Sequence, residues 1–270
     1  MQSSKIFNCF VSSKRSLRIH PVPIFCAEKR LALLWSAKSG CTFACKWMFD
    51  QMGLLEEANS YSNWIHDYRE NIYYKSDRFK EGMNLFLKNS ESFNVVKIVT
   101  NPFKRAAMSY VHANVHGYED KKISKYLKRE VSSKKRFSFR EFSQYINNIN
   151  INKCNIHHKV QTSKAERTGL VKSIHVIDLQ ESMLKIPELE KSLDLKNVDL
   201  EKIRKSPHHR EKRKTPEFMG DSKMNDLYKR HQPILPEYIQ FYDQEIKEMI
   251  SHAYKEDFDR YNYSVNELNF

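Results

Sequence analysis

The sequence predicts an α/β protein in which helices flank a central parallel sheet of about four or five strands. Three segments have the character of buried strands: the apolar run at 31–35, the β-branched run at 94–100 and the segment K-S-I-H-V-I-D-L at 172–179. Each of them precedes a stretch with apolar residues at helical spacing. Because strands that alternate with helices usually pair in parallel, this order of elements predicts a parallel sheet.

The expected helices have apolar residues three and four positions apart. Pro102 suits the first turn of the helix that follows the second strand, because its missing N–H is not needed there. Residues 56–75, by contrast, look polar and irregular. The helices are marked by Ala44, Trp47, Met48, Gln51, Met52 and Leu55, by Phe79, Met83, Phe86 and Leu87, by Phe103, Ala106, Ala107, Tyr110 and Val111, by residues 183–193, and by Ile239, Tyr242, Ile246, Met249, Ile250 and Tyr254.

The domain organisation follows from length and charge. We expect residues 1–30 to be an irregular lead and residues 31–270 to form a single domain. Two basic segments interrupt that domain, near 119–140 and 202–214; the first reads as an exposed helix or mobile insert and the second as a loop. Lys and Arg number 46 against 33 Asp and Glu, and this net charge of +13 favours anionic partners.

Composition excludes several classes of protein. The 16 Phe, 14 Tyr and 3 Trp supply enough apolar area for a hydrophobic core, so the chain is not expected to be disordered. Six glycines in 270 residues argue against a glycine-rich dinucleotide fingerprint. No window reaches about 18 consecutive apolar residues, and no signal peptide fits the N-terminus. We therefore expect a cytoplasmic protein, with peripheral contact to a membrane left open.

The cysteines give no sign of a disulfide framework. There are five, an odd number, and none lies in a C-x-x-C motif. A chain of this length needs no covalent cross-links to fold, so a reduced setting fits. Cys41 and Cys45 lie on one helical face but have no histidine pair at ligand spacing, and we expect no metal site there.

The segment between the first strand and its helix carries the clearest chemistry. Ser36-Ala-Lys-Ser-Gly-Cys-Thr42, here called the polar loop, has the strand–loop–helix context in which backbone N–H groups bind anions. Lys38 adds a charge, and the hydroxyls of Ser39 and Thr42 add donors. The loop is not a Walker A motif, because Lys38 precedes the only glycine, Gly40. A tight turn with a surface lysine would have the same sequence.

Five segments, in order, resemble motifs of the carbohydrate sulfotransferases that use 3′-phosphoadenosine 5′-phosphosulfate (PAPS), the Golgi-type glycan enzymes and their bacterial relatives. The polar loop resembles their 5′-phosphosulfate loop, and V-T-N-P-F-K-R-A-A-M-S-Y at 99–110 is similar to their 3′-phosphate motif. H-H-K-V-Q at 157–161 resembles their H-x-x-P-Q segment, and I-H-V-I-D-L-Q-E at 174–181 the strand that follows it. Y-K-E-D-F-D-R-Y-N-Y at 254–263 resembles their C-terminal motif.

This resemblance implies a P-loop NTPase-like fold and transfer of a sulfuryl group from PAPS to a hydroxyl, without a metal ion. The expected acceptor is a carbohydrate, because the similar families mostly modify glycans, and no nucleic acid is required. Lys38 would be catalytic, neutralising charge that develops on the leaving phosphate. The expected PAPS ligands are Ser36, Ala37, Lys38, Ser39, Gly40, Cys41, Thr42, Asn101, Arg105, Ser109, Arg210 and Arg213.

The chain departs from the family motif at two positions. Thr100 stands where the family has an arginine, and Met108 stands where it has a serine. Ser109 lies one position late, which turns its side chain by about 100° around a helix. Arg105 keeps its register, and Arg210 and Arg213 of the second basic segment are candidate replacement cations.

The base that would deprotonate the acceptor is less defined by the sequence. Related enzymes place a Glu or His after the first helix, where this chain has W-I-H-D-Y-R-E at 64–70. His66 is the first choice, because its unperturbed pKa is about 6.5, and Asp67 and Glu70 are alternatives. His112 and His116, one turn apart after the second motif, are further candidates for the base, whereas His157 and His158 could face the acceptor instead; all four are expected to contact the acceptor.

Three other interpretations stay open. A basic domain that binds nucleic acid or anionic lipid would explain the net charge and the runs near 119–140 and 202–214. A nucleotide kinase-like P-loop enzyme would explain the polar loop, but the missing G-K-[ST] counts against it. A degenerate sulfotransferase that no longer turns over would explain Thr100 and Met108.

Overall fold

A four-stranded sheet lies at the centre of the protein. The computed structural model describes residues 20–204, 217–230 and 235–268, with the backbone of residues 212–213. Strands β2, β3 and β4 are parallel, and β1 pairs antiparallel with β2. The sheet has the order β1–β2–β3–β4, with β1 at Ile24–Cys26, β2 at Leu31–Leu34, β3 at Asn94–Val99 and β4 at His175–Asp178. The α/β prediction is confirmed, but the sheet is mixed rather than wholly parallel.

Strand β1 lies inside the segment predicted to be irregular, so that prediction is wrong at Ile24–Cys26. Only three apolar residues form the strand, which is too short for a recognisable pattern. The turn to β2 ends at Arg30, whose φ of 47° is left-handed. Tyr73 protects the outer edge, because its hydroxyl accepts from the N–H of Phe25 at 2.9 Å and donates to the Phe25 carbonyl at 2.7 Å.

Helices cover both faces of the sheet and fill the segments between strands. The longest, α5, begins at Pro102 as predicted and ends at Gly117, whose φ is 65°. The helices are α1 (Cys41–Gln51), α2 (Leu55–Tyr61), α3 (Ile65–Asn71), α4 (Asp77–Lys88), α5 (Pro102–His116), α6 (Asp120–Leu127), α7 (Phe139–Asn147), α8 (Lys164–Arg167), α9 (Ser182–Ser192), α10 (Leu200–Arg204), α11 (Met224–Arg230), α12 (Gln244–Ala253) and α13 (Lys255–Tyr261). Short 3₁₀ turns lie at Tyr73–Lys75, Ser90–Ser92 and Tyr238–Phe241.

Two predictions of local structure are corrected here. Residues 56–75 are not irregular, because α2 and α3 bury Ala58 and Ile65 in the core while their other faces stay polar. The last predicted helix does not begin at Ile239. Asp243 caps α12 by accepting from the N–H of Ile246 at 2.8 Å, and this cap separates the helix from the preceding 3₁₀ turn.

The first basic segment contains a helix, which is one of the two alternatives expected for it, whereas residues 205–211 and 214 of the second lie outside the described residues. In the first, α6 buries Ile123, and ion pairs fix the chain that follows it. These pairs join Arg136 to Asp120 at 2.8 Å, Arg129 to Glu141 at 2.7 Å and Arg140 to Asp221 at 2.6 Å. In the second, α10 includes residues 202–204, and Lys212–Arg213 forms strand β5, which pairs with β6 at Leu235–Pro236.

Buried apolar side chains of the described residues form two clusters. The first lies around the sheet and includes Trp47, Phe49 and Phe86. The second is centred on α5 and includes Tyr110, with helices α7, α12 and α13 packed around it. Strand β3 contributes to the first cluster and the start of α5 to the second, and the polar groups where the two elements join are described with the candidate site.

A buried ion pair links β3 to the chain near α8. The ammonium of Lys97, on β3, contacts the carboxylate of Glu166, and the side chains are 0% and 1% exposed. The carboxylate also accepts from the hydroxyl of Tyr261 at 2.8 Å. Burial alone would raise the pKa of Glu166, but Lys97 and the Ser163 N–H hold it below its ordinary value. Burial is the main cause of a lowered pKa at Lys97, and the charge of Glu166 opposes that lowering; the direct contact of ammonium and carboxylate favours the charged pair.

We expect Glu166→Gln to lower the free energy of unfolding by about 3–5 kcal/mol, because the charge of Lys97 stays buried without a partner of opposite charge. Urea denaturation measures this loss. The matched control is Glu91→Gln, which breaks the exposed 2.5 Å pair with Lys172 and should change stability by less than about 1 kcal/mol. Equal losses in the two variants would contradict the assignment.

Candidate functional site

The polar loop connects the carboxyl end of β2 to the N-terminus of α1. Gly40 precedes the helix with φ at 69°, and Lys38 has φ at 65°, so both residues adopt the left-handed conformation. A Cβ on Gly40 would also lie 2.5 Å from a methyl carbon of Leu179. The left-handed conformation therefore favours glycine at 40, where a larger residue would also displace the Leu179 side chain, and the same conformation at Lys38 is strained.

The N-terminus of α1 retains the features of an anion site. No side chain caps the helix, and no acidic residue lies in its first turn. The first backbone N–H groups and the positive end of the helix dipole are therefore free of carboxylate partners within the helix. Cys41 and Thr42, both half-buried, begin the helix directly after the loop that carries Lys38.

Gln161 holds the polar loop against β3. Its side-chain oxygen accepts from Ser39 Oγ at 2.6 Å and from the Thr100 N–H at 3.0 Å. Its side-chain nitrogen donates to the Thr100 carbonyl at 2.9 Å, and its backbone carbonyl accepts from Ser36 Oγ at 3.1 Å and from Lys97 Nζ at 2.5 Å. The hydroxyls of Ser36 and Ser39 are thus buried and donate to Gln161, so they are not exposed donors for a ligand.

The C-terminal segment supports Gln161 from the other side. Asp257, on α13, accepts from the N–H of Gln161 at 2.8 Å and from the N–H of Thr162 at 3.0 Å. Burial raises the pKa of Asp257, and the Arg105 charge and these backbone donors oppose that rise. Tyr254 donates to the carbonyl of His158 at 2.8 Å. The segments at 157–161 and 254–263 are therefore in direct contact.

Arg105 supports the polar loop from below. The side chain is 1% exposed, and its Nε donates to the carbonyl of Ala37 at 2.9 Å. Its Nη1 has no hydrogen-bond partner among the described residues, and the guanidinium lies 5.9 Å from the ring centre of Tyr254. Arg105 was predicted to hold a phosphate. It instead positions the loop backbone, and its buried Nη1 is the atom without a partner among the described residues.

The other ligands predicted in the second motif have local partners. Ser109 is fully buried, donates to the His157 carbonyl at 2.7 Å and lies 2.5 Å from Nδ1 of His158. Asn101 caps α5 by accepting from the N–H of Phe103 at 2.9 Å. Arg210 lies outside the described residues, and only the backbone of Arg213, in β5, is described.

His66 lies against the start of α1. Its Nε2 is 3.1 Å from Thr42 Oγ1 and 3.7 Å from the sulfur of Cys41. The ring is 6% exposed, with the ring of Trp35 stacked 6.4 Å away and that of Trp64 edge-on at 5.3 Å. The structure thus brings His66 to the polar loop but buries it. The alternatives have other partners, because Asp67 accepts from Ser62 at 2.8 Å and Glu70 pairs with Arg69 at 2.7 Å.

Four histidines predicted to contact the acceptor gather in one place, here called the histidine cluster (His112, His116, His157 and His158). The ring of His112 lies 4.3 Å from the rings of both His116 and His157. The ring of Tyr118 lies 5.2 Å from His157 and 5.8 Å from His158. His158 is fully buried, His112 and His157 are half-buried, and His116 is exposed.

Three members of the histidine cluster, His112, His157 and His158, have pKa values below the ordinary value of a histidine. Burial is the main cause of the lowered pKa values, which reach about 4 for His157 and about 3 for His158 and fall well below the ordinary value for His112. The positive charge of Lys38 contributes to the lowering at all three. The polar loop and the cluster therefore share one electrostatic environment.

Sequence reasoning missed several residues that build this site. The sequence does not single out Lys97, Tyr118 or Asn155, whose Oδ1 lies 2.9 Å from Nδ1 of His157, and it marks Gln161 only through a motif. Lys97 could have been found, because a lysine in the middle of the apolar strand N-V-V-K-I-V requires a buried partner. Nothing in the local sequence marks Asn155 or Tyr118.

Comparison of the chain with protein-family models, with curated proteins and with solved structures finds no match. Within the described residues, no helix is both long and apolar enough to cross a membrane. In the same part of the chain, no three His, Cys, Asp or Glu side chains are arranged to hold a metal ion.

The lowered pKa values make stability depend on pH. Below pH about 6.5, His157 and His158 bind protons in the unfolded chain but not in the folded protein. The urea midpoint should therefore fall as pH drops from 7 to 5. His158→Gln removes one such group and should make this fall shallower. His252→Gln, which changes an exposed histidine on α12, should leave the slope unchanged. Identical slopes in all three proteins would contradict the buried, neutral state of His158.

Proposed function

We propose that the protein transfers a sulfuryl group from PAPS to a hydroxyl group, with a carbohydrate as the acceptor. The main support for the proposal is that segments far apart in the sequence come into contact around Gln161. The polar loop, the end of β3 and the segments at 157–161 and 254–263 resemble sulfotransferase motifs, and hydrogen bonds join them to one another. Tyr263 also donates to Asp178 at the end of β4, which links the remaining segment, 174–181.

The polar loop and the start of α1 supply the groups that such a transfer needs. The 5′-phosphosulfate would lie at the N-terminus of α1, held by backbone N–H groups and by Lys38. In an in-line displacement, the acceptor oxygen bonds to sulfur as the bond between sulfur and the bridging phosphate oxygen breaks. Lys38 would stabilise the charge that develops on that oxygen.

Two exposed aromatic side chains favour a carbohydrate acceptor. Trp64 and Tyr61 are each 51% exposed, and the ring of Trp64 contacts His66 beside the polar loop. Aromatic rings that are apolar on their faces and polar at one edge suit a sugar, which has C–H groups on one face and hydroxyls around it. The acceptor would then approach between this edge and the histidine cluster.

The structure offers less support for a nucleic-acid or lipid module. The arginines of the first basic segment pair with carboxylates, as Arg136 does with Asp120 and Arg129 does with Glu141. Such pairs leave fewer free cations for phosphates. A second candidate, nucleotide binding without turnover, is favoured by Thr100, which stands in place of the expected arginine, and by Ser109, which is buried and hydrogen-bonded to the His157 carbonyl.

Adenosine 3′,5′-bisphosphate, the product nucleotide, tests the proposal by calorimetric titration. We expect micromolar binding to the wild type and a loss of about 10- to 150-fold in Lys38→Ala, the value of one charge-assisted contact to phosphate. Lys88→Ala is the matched control, because it removes the same charge from an exposed position on α4 and should not change binding. No binding to the wild type at millimolar nucleotide would overturn the proposal.

Turnover separates the active enzyme from a degenerate one. With radiolabelled PAPS and chemically desulfated heparin or chondroitin as acceptor probes, Lys38→Ala should lower turnover by about 100-fold or more. Lys38→Arg should restore little of it, because a planar guanidinium does not replace a compact ammonium. Tight nucleotide binding without transfer to any hydroxyl-bearing probe would favour the degenerate alternative.

A further inference from the structure

One histidine of the cluster has its tautomer fixed by a neighbouring side chain. Oδ1 of Asn155 lies 3.0 Å from the backbone nitrogen of His157 and 2.9 Å from its Nδ1. A backbone N–H can only donate, so the Asn155 atom facing it is the oxygen and not the amide nitrogen. That oxygen can only accept, and Nδ1 of His157 must therefore carry the proton. In neutral His157 the lone pair then lies on Nε2.

The Nε2 atom of His157 is available to a substrate. The described residues give it no hydrogen-bond partner, and the ring is half-buried rather than enclosed. The charge of Lys38 reaches this ring, since it is the second contribution after burial to the lowered pKa of His157. His157 is thus a neutral, oriented acceptor of protons beside the loop that would hold the phosphosulfate.

The other candidates for a base are placed less well. The Nε2 of His66 faces Thr42 Oγ1 at 3.1 Å, and the ring is buried between two tryptophans. His158 is fully buried, with Nδ1 at 2.5 Å from Ser109. His112 faces the hydroxyl of Tyr118 at 3.1 Å, a contact that leaves its tautomer undetermined. His157 alone among these combines partial exposure with a defined lone pair.

We propose that His157 is the general base of the transfer, with Asn155 as the residue that positions it. This inference rests on the proposed function. As the acceptor oxygen bonds to sulfur, its proton passes to Nε2 of His157, and the electron pair of the broken sulfur–oxygen bond stays on the 5′-phosphate of the product. The Nδ1–H bond to Asn155 stabilises the imidazolium that forms.

An anion bound at Lys38 would raise the pKa of His157. His157 has a pKa of about 4 in the free protein, partly because cations surround it. Bound phosphosulfate would offset the Lys38 charge and raise the pKa of His157 towards neutrality, where a base is most effective. The titratable and charged groups that face His157 are Lys38 of the polar loop, Arg105, His112 and His116 of α5, Tyr118, and His158 of its own segment.

Kinetics with radiolabelled PAPS and the desulfated polysaccharide probes test the assignment. His157→Gln should lower kcat by about 100- to 10,000-fold, the range for loss of a general base, while the Kd of adenosine 3′,5′-bisphosphate changes less than about threefold. Asn155→Asp keeps an acceptor for Nδ1–H and should retain most of the activity, whereas Asn155→Leu should not. His252→Gln, on the exposed face of α12, should match the wild type. Wild-type turnover in His157→Gln overturns the inference.

A second measurement needs no acceptor. In protein labelled with ¹⁵N-histidine, the ring signals of His157 should show the Nδ1–H tautomer, and its pKa should rise when adenosine 3′,5′-bisphosphate is added. Asn155→Leu should abolish the preference for that tautomer. If the bisphosphate binds but His157 shows the Nε2–H tautomer or no shift, the inference fails and the proposed function stands. If the bisphosphate does not bind, both fail.

Discussion

The side chain of Gln161 connects parts of the chain that lie far apart in sequence. Its amide bonds Ser39 of the polar loop and both backbone groups of Thr100, and its own backbone bonds Lys97 and Asp257. Each of these contacts is buried, so a missing partner would leave a polar group without water or protein to satisfy it. The position of the polar loop therefore depends on this one residue and on the groups that support it.

This arrangement has electrostatic consequences for the site. Arg105 and Lys97 are buried cations beneath the loop, and Asp257 and Glu166 are the carboxylates that accompany them. Lys38, above them, keeps a half-buried position and a strained backbone, and its charge reaches the histidine cluster. In the proposed function, a scaffold that fixes the loop in this way would preorganise Lys38 and the first turn of α1 for the phosphosulfate.

Much of the sheet could be predicted because strand patterns are local. The run at 31–34 is wholly apolar and the run at 94–99 is mostly β-branched, and the segment after each has apolar residues at helical spacing. Strand β1 could not be predicted, because three residues are too few to show a pattern. The backbone groups on its outer edge bond to Tyr73, which lies 48 residues away. The tautomer of His157 could not be predicted either, because it depends on the orientation of Asn155. For the same reason the sequence suggested His66 as the base, and its burial between tryptophans emerges only from the fold.

The central claim is that the polar loop and the start of α1 hold the 5′-phosphate end of a nucleotide. A crystal structure of the protein with adenosine 3′,5′-bisphosphate tests it most directly. The account predicts that the 5′-phosphate accepts hydrogen bonds from backbone N–H groups at Gly40–Thr42 and from Nζ of Lys38, with Gln161 unmoved. A nucleotide whose 5′-phosphate is held by other residues, away from Lys38 and the N-terminus of α1, would contradict it.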